Sequence, residues 1–339
     1  MIDFRYHLVS IVAVFLALAI GLVLGSTELQ GATLDGLERG TNLLNGELTQ
    51  ARSQRDAYSA QVNADQSFAQ ANEAALLKNL LYGERVVMVT ASGADSGTVS
   101  ALVSAAKEAG ATITGTISLS GSFSDTTTSN ESTLQELNTD LADADSITLS
   151  TGSVQQQAAQ LIAEAVVTTA TSPTAALTTT QAQDVLTAYS KSGYLSVTPS
   201  NPQDLATLAI IVTPGSAPSD GASDPADQAL VSVAQEFAQY STAAVVAGDT
   251  SADGSGSAMS VLRASNVASK VSTIDNADYT TGQIVTIQAL ASQTQGGKAQ
   301  SYGSESSAGS GGPSPGPTPS ASVSPSPSTS STKKAKANK

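Results

Sequence analysis

Arg85-Val-Val-Met-Val-Thr90 is followed by Gly93-Ala-Asp-Ser-Gly97 and then by Thr98 to Ala109, closed by Gly110. The first run is continuously apolar, short and rich in Val, which reads as a strand buried on both faces. The second is a glycine-bearing turn and the third a helical stretch. Ala111-Thr-Ile-Thr-Gly-Thr-Ile117 then reads as the next strand. A strand, turn, helix and strand in that order is a parallel unit, and the pattern recurs downstream. Leu208 to Val212 is a strand ending at Pro214-Gly215, and Asp227 to Tyr240 an amphipathic helix. Ala243 to Ala247 is a strand before Gly248-Asp249, and Ser257 to Ala264 a helix. Val271 to Ile274 is a short last strand, and Thr281 to Ser292 a closing helix. Buried strands alternating with helices predict an α/β body over 84–292, a Rossmann-like parallel sheet covered on both faces. The middle, 120–205, is expected to be mostly helical, with Gly121 to Asn130 as a loop.

Upstream lies a segment of a different kind. Leu8 to Leu24 is 17 residues with Ser10 as the one polar side chain, behind a head carrying Arg5 and His7. That length crosses roughly 25 Å as a helix, near the lower limit for a bilayer. Acidic Glu28, Asp35 and Glu38 follow it. The asymmetry predicts a single-pass anchor in the cytoplasmic membrane over 1–26, N-terminus inside and body extracytoplasmic. A cleaved signal peptide is the competing reading, with Val23-Leu24-Gly25 as its best and mediocre cleavage site.

Residues 27–82 contain no proline and fit a heptad. Leu34, Thr41, Leu48, Arg55, Val62, Ala69 and Leu76 fall at a, and Leu37, Leu44, Ala51, Tyr58, Asp65, Asn72 and Asn79 at d. Nine of the fourteen are apolar or Tyr, which fits a weak coiled-coil stalk and a homodimer. The competing reading is one amphipathic helix packed on its own domain. Gly31, Gly36, Gly40 and Gly46 each cost about 1 kcal/mol relative to Ala. At the other end, 293–339 is Ser-, Gly- and Pro-rich and finishes with Lys333, Lys334, Lys336 and Lys339. Such a tail is expected to be disordered and extended. Its lysines are either a solvated end or a contact for anionic envelope polymers or lipid headgroups.

Composition excludes several functions. Among 339 residues the net charge is −14, which leaves no electrostatic footprint for nucleic acid. There is no Cys and one His, His7, which sits in the predicted cytoplasmic head. Disulfides, thiol catalysis and histidine-based triads in the body are therefore excluded. Gly93-Ala-Asp-Ser-Gly97 lies where a phosphate could rest on backbone N–H groups. It is neither G-x-G-x-x-G nor a Walker loop, and tight strand-to-helix turns need glycine regardless of ligand. Asp95, Asp249, Asp275 and Asp278 fall at strand ends. They could gather round a hard cation, or serve as helix caps and turn residues. Gly93, Asp95, Gly97, Asp249, Asp275 and Asp278 are thus the candidate loop residues. No catalytic constellation and no cofactor is predicted, and the protein is expected not to be an enzyme.

Two stretches carry a resemblance. Ile2-Asp-Phe-Arg-Tyr-His-Leu-Val-Ser10, continuing to Gly25, is similar to the opening of the actinobacterial MctB family. Val271-Ser-Thr-Ile-Asp-Asn-Ala-Asp278, with Gly282-Gln283, Ala289-Leu290 and Tyr302-Gly303, resembles that family's C-terminal motif. The likeness spans about 1–303. It implies a membrane protein of copper transport or homeostasis. It also implies an alternative, an envelope or cell-division scaffold that dimerises by its stalk and docks a partner protein on its body. Cu(I) selects thiolate, thioether and imidazole ligands, and the body offers only Met88 and Met259. One membrane helix cannot line a pore by itself. The expected role in copper handling is therefore indirect.

Overall fold

The structure, a computed structural model, describes residues 4–169, 177–199, 204–215, 225–252, 257–304 and 308–313; the side chains of residues 4 and 26–38 lie outside that description. The chain divides into two compact units, 1–68 and 69–339.

Helix α1 (Phe4–Leu77) makes up the first unit and runs on into the second. Its residues Arg5–Gly25 are the one described segment long and apolar enough to cross a membrane, 21 residues with none buried. At 1.5 Å per residue that is roughly 32 Å, a full hydrocarbon thickness rather than the minimal span expected from Leu8 to Leu24. The helix stays continuous through Gly31, Gly36, Gly40 and Gly46. Each glycine weakens it locally, but none is paired with a proline, and the flanking Leu, Glu and Arg residues are good helix formers. Every side chain from 41 to 65 is exposed, including Leu44, Leu48, Tyr58 and Val62. Of the heptad positions, Leu34 and Leu37 lie outside the described side chains.

The second unit is built on strands β1 (Arg85–Thr90), β2 (Thr112–Leu119), β3 (Leu195–Thr198), β4 (Leu208–Val212), β5 (Ala243–Ala247), β6 (Ser272–Ile274) and β7 (Ser301–Tyr302). Its helices are α2 (Ser96–Glu108), α3 (Gly121–Ser124), α4 (Thr128–Asp145), α5 (Val154–Val166), α6 (Thr179–Lys191), α7 (Pro225–Tyr240), α8 (Ala258–Ala264) and α9 (Thr280–Thr294). The sheet order is β3-β2-β1-β4-β5-β6-β7. All pairings are parallel except β2 with β3. The chain builds outward from β1 in one direction and then from β4 in the other, so the winding reverses between them.

Burial follows from that order. The interior strands β4 and β5 are buried at all five positions, and β1 at five of its six. Two covered faces favour apolar side chains, hence the Val, Ile and Ala runs, with Thr90 the buried polar residue at the end of β1. Alternate residues serve opposite cores. Val87, Val89, Ile211 and Val246 pack with Leu161 of α5 and Phe237 of α7. Val86, Met88, Ile210 and Val245 pack with Leu102 of α2 and Leu290 of α9.

Three expectations need correction. Gly121 to Asn130 is not simply a loop: it holds α3 and the first turn of α4, because Phe123 is fully buried and anchors a short helix. The helical middle ends in β3, an antiparallel edge strand too short to carry a periodicity. The body does not stop at Ser292. Residues 301–302 add the seventh strand, paired with β6, in a stretch assigned above to the disordered tail. Residues 314–339, with the terminal lysines, lie outside the described residues.

The α5–α7 contact contains an unusual polar group. Glu236 is 1% exposed, and its Oε1 accepts a hydrogen bond from Gln156 Nε2 at 2.7 Å. Its Oε2 is buried without a hydrogen-bond partner. Burial pushes the Glu236 carboxyl above the ordinary value, and the neighbouring Glu164 adds repulsion, against the opposing pull of Gln156, Gln235 and Lys270. The folded state therefore holds this proton more tightly than the unfolded state. The associated stability is fully present below the ordinary glutamate range and is lost as pH rises through the raised folded value. Glu236→Gln keeps an acceptor for Gln156 and removes the titration. Thermal melts from pH 4 to pH 8 should show the variant gaining on the wild type as pH rises; a constant gap would contradict this.

Candidate functional site

In open α/β sheets ligands sit beyond the carboxyl ends of the strands, where the order reverses. Here that place lies between β1 and β4. The turn after β1 opens with Gly93 at φ +85°, a left-handed position that favours glycine, packed 3.5 Å (at a notional Cβ) from Pro214 after β4. Asp95 is the N-cap of α2, and its carboxylate accepts the Thr98 N–H at 2.7 Å. That hydrogen bond, with a further contribution from the Gly97 N–H, holds the Asp95 carboxyl below the usual carboxylate range. A β-carbon on Gly97 would stand 2.9 Å from the same carboxylate. The three candidate residues of this turn are thus brought together, but the seat that would receive a phosphate already holds the chain's own anion.

Beside that turn is a cavity of about 290 Å³ at the ends of β1, β2 and β4. Leu119, Phe123, Leu230 and Val233 form its apolar wall, and Asp125 and Asp227 are its acidic side chains. Sequence reading missed it. Phe123 lay in an assumed loop, and nothing local in Leu230 or Val233 distinguishes cavity from core.

The other three candidates end β5 and β6. Asp249 accepts the Ser251 N–H at 2.8 Å and its hydroxyl at 2.6 Å. Asp278 accepts the Thr250 N–H at 3.0 Å and its hydroxyl at 3.1 Å. Both bind the same short turn, which is the chemistry of aspartate in loops rather than of a cation cage. Asp275 differs. It is completely buried and pairs with Arg263 Nη2 at 3.0 Å, whose side chain is 6% exposed. Arg263 also donates to the Thr273 hydroxyl at 2.9 Å and to the Tyr302 carbonyl at 3.0 Å. The second oxygen of Asp275 accepts the Ser304 N–H at 2.8 Å. Among the described residues no three His, Cys, Asp or Glu side chains come together as an ion site.

The 271–303 motif converges on this ion pair. Gly303, at φ +138°, lies so close to Asp275 that any β-carbon there would collide with the carboxylate. Gly282 lies equally close to the Asn276 carbonyl oxygen, and Gln283 donates to the Ala277 carbonyl at 3.1 Å. The motif is a clasp that fastens β7 to β6 and α9 to the turn before it.

Residues 1–313 match the family described as "Copper transport outer membrane protein, MctB". The chain belongs to the MctB family. It is 31% identical to "Copper transporter MctB" of Mycobacterium leprae over 310 residues, covering 89% of this chain and 96% of that protein. It is 29% identical to the protein of that name from Mycobacterium tuberculosis over 311 residues, covering 91% and 98%. The Mycobacterium bovis protein of the same name gives the same figures. The family description names the outer membrane, where the sequence reading expects the cytoplasmic membrane. Common to both is membrane association, and Arg5–Gly25 is the described segment suited to it.

Copper sets a chemical test for an MctB body. Met88 and Met259 are both 0% exposed. They sit in the two separate cores on opposite faces of the sheet, so their sulfurs cannot share an ion. The donor set therefore does not fit a Cu(I) site. The clasp makes a separate structural claim. Asp275→Ala leaves Arg263 buried without its counter-ion and should cost about 3–5 kcal/mol in denaturant unfolding. Asp249→Asn and Asp278→Asn, on exposed turns, should each cost about 1 kcal/mol or less. Equal effects at all three would refute the distinction.

Proposed function

We propose that this MctB-family protein is a non-enzymatic, single-pass membrane protein that serves copper homeostasis indirectly, through a partner in the envelope. The observation carrying this reading is the placement of the two methionines, each sealed in a different core of a body that has no cysteine or histidine. A body so built can hold or orient another component, but it offers Cu(I) no soft ligand. In this reading α1 is the anchor, with Arg5 and His7 on the cytoplasmic side and the Rossmann-like body outside. Two features favour the cytoplasmic membrane. The candidate span is helical, and the described strands form a mostly parallel sheet covered on both faces. Outer-membrane barrels are instead closed and antiparallel.

The proposal also makes 27–82 a dimerising stalk. Leu44 is 66% exposed, Leu48 47% and Tyr58 73%, all at heptad positions facing water along a single helix. Pairing with a second copy would cover them.

Copper titration of the full chain in detergent, with a chelator as competitor, should reveal no Cu(I) site tighter than micromolar. Sub-micromolar binding that survives His7→Ala would overturn the indirect role. The absence of native cysteine makes the topology and the stalk directly testable. Leu48→Cys should form a disulfide-linked dimer in oxidised membranes, and Ser190→Cys, exposed on α6, should react with an impermeant maleimide in intact spheroplasts. A monomer in the first test sinks the stalk, and labelling only after lysis in the second reverses the orientation.

A further inference from the structure

The contact between α5 and α7 closes two carboxyl groups away from water. Glu236 of α7 is 1% exposed and Glu164 of α5 is 7% exposed. Gln160 Nε2 donates to Glu164 Oε1 at 2.9 Å. Gln156 Nε2 reaches across from α5 to Glu236 Oε1 at 2.7 Å, and Gln235 Nε2 adds a longer bond to the same oxygen at 3.4 Å. Glu236 Oε2 is buried and takes no hydrogen bond. The titratable groups that face this carboxyl are Glu164 from α5, Tyr240 from α7 itself and Lys270 from the turn before β6. Lys270 is exposed, and among the described residues no ion pair joins it to Glu236. Burial first, and then repulsion from Glu164, make Glu236 hold its proton above the ordinary glutamate range. An ionised Glu236 would leave one oxygen charged, dry and unbonded, a state that water alone can relieve here. The side chains that share the surrounding core are apolar, Leu161 and Ile162 of α5 with Val233 and Phe237 of α7, and none can donate to it. Water reaches that oxygen only where α7 parts from α5.

We propose that the Glu236 proton is a latch: with it bound, α7 lies closed on α5, and when it leaves, α7 opens locally so that water reaches the carboxylate. The closed form binds the proton more tightly than the open form. Closure is therefore complete at low pH and is lost as pH rises through the raised closed-state value. The response is confined to α5 and α7, whereas a loss of global stability would reach every element alike. It is independent of the copper role, because it uses neither methionine nor the anchor. Hydrogen exchange of the full chain in detergent, compared at pH 5 and pH 8 after correction for intrinsic rates, tests it. The amides of α5 and α7 should exchange at least tenfold faster at pH 8, while those of β1 and β4 keep their protection. Glu236→Gln keeps an acceptor for Gln156 and cannot ionise, so both helices should stay closed at both pH values. Glu164→Gln removes the facing negative charge and should reduce the acceleration several-fold. Equal protection of α5 and α7 at the two pH values in the wild type would overturn the latch. So would exchange at pH 8 as fast in either variant as in the wild type, or an equal loss of protection in β1 and β4.

Discussion

Arg263 and Asp275 face each other at 3.0 Å in a place almost closed to water. Each charge loses several kcal/mol of hydration by being there, and their mutual attraction offsets this only if the remaining hydrogen-bonding capacity is also met. That requirement organises the far edge of the sheet. Arg263 reaches β6 through Thr273 and β7 through the Tyr302 carbonyl, while Asp275 takes the Ser304 N–H. The last strand, only two residues long, is held less by its ladder than by this shared ion pair. Without β7, the edge of β6 would lie open, a row of unpaired backbone groups available to other chains. Gly303 and Gly282 follow from the same demand, since the chain must pass against Asp275 and Asn276 more closely than any side chain permits.

How much of this was readable in advance depended on whether the signal was local. β1, β4 and β5 were legible because interior parallel strands are apolar along their buried length, and Val86–Val89, Leu208–Val212 and Ala243–Ala247 show it without help from context. β3 and β7 were not. Four and two residues carry no period, and each exists because a neighbouring strand supplies the pairing. The candidate aspartates divide in the same way. Caps such as Asp95 obey short-range rules, and a turn reading anticipated them. Asp275 lies three residues before Asp278 in the same strand-end stretch, yet its role is set by Arg263, twelve positions away, and by Tyr302 and Ser304. No spacing rule could separate the two. The cavity is the extreme case, since its walls come from four separate segments whose apolar residues look like ordinary core.

Family membership and site chemistry answer different questions here. The match over residues 1–313 places the chain among proteins named for copper transport. The motif at 271–303 that helps to carry such a likeness proves to be an architectural clasp around the Arg263–Asp275 ion pair. A motif that serves packing bears on the fold and says nothing about cargo. The donor inventory therefore has to be judged separately, and in this body it amounts to two methionines buried on opposite sides of one sheet.

The same separation applies to the strand ends. Doubly wound sheets leave a crevice wherever their winding reverses, because the loops from β1 and β4 depart to opposite faces. The geometry is indifferent to what fills it. Here a carboxylate caps the α2 N-terminus, and Asp125 and Asp227 stand among the residues lining the cavity. A nucleotide-binding version needs that helix end free and its glycines close to a pyrophosphate. Gly93 and Gly97 keep the tight turn, but Gly97 now makes room for Asp95 instead of a ligand. One side chain thus satisfies the helix and removes the anion site.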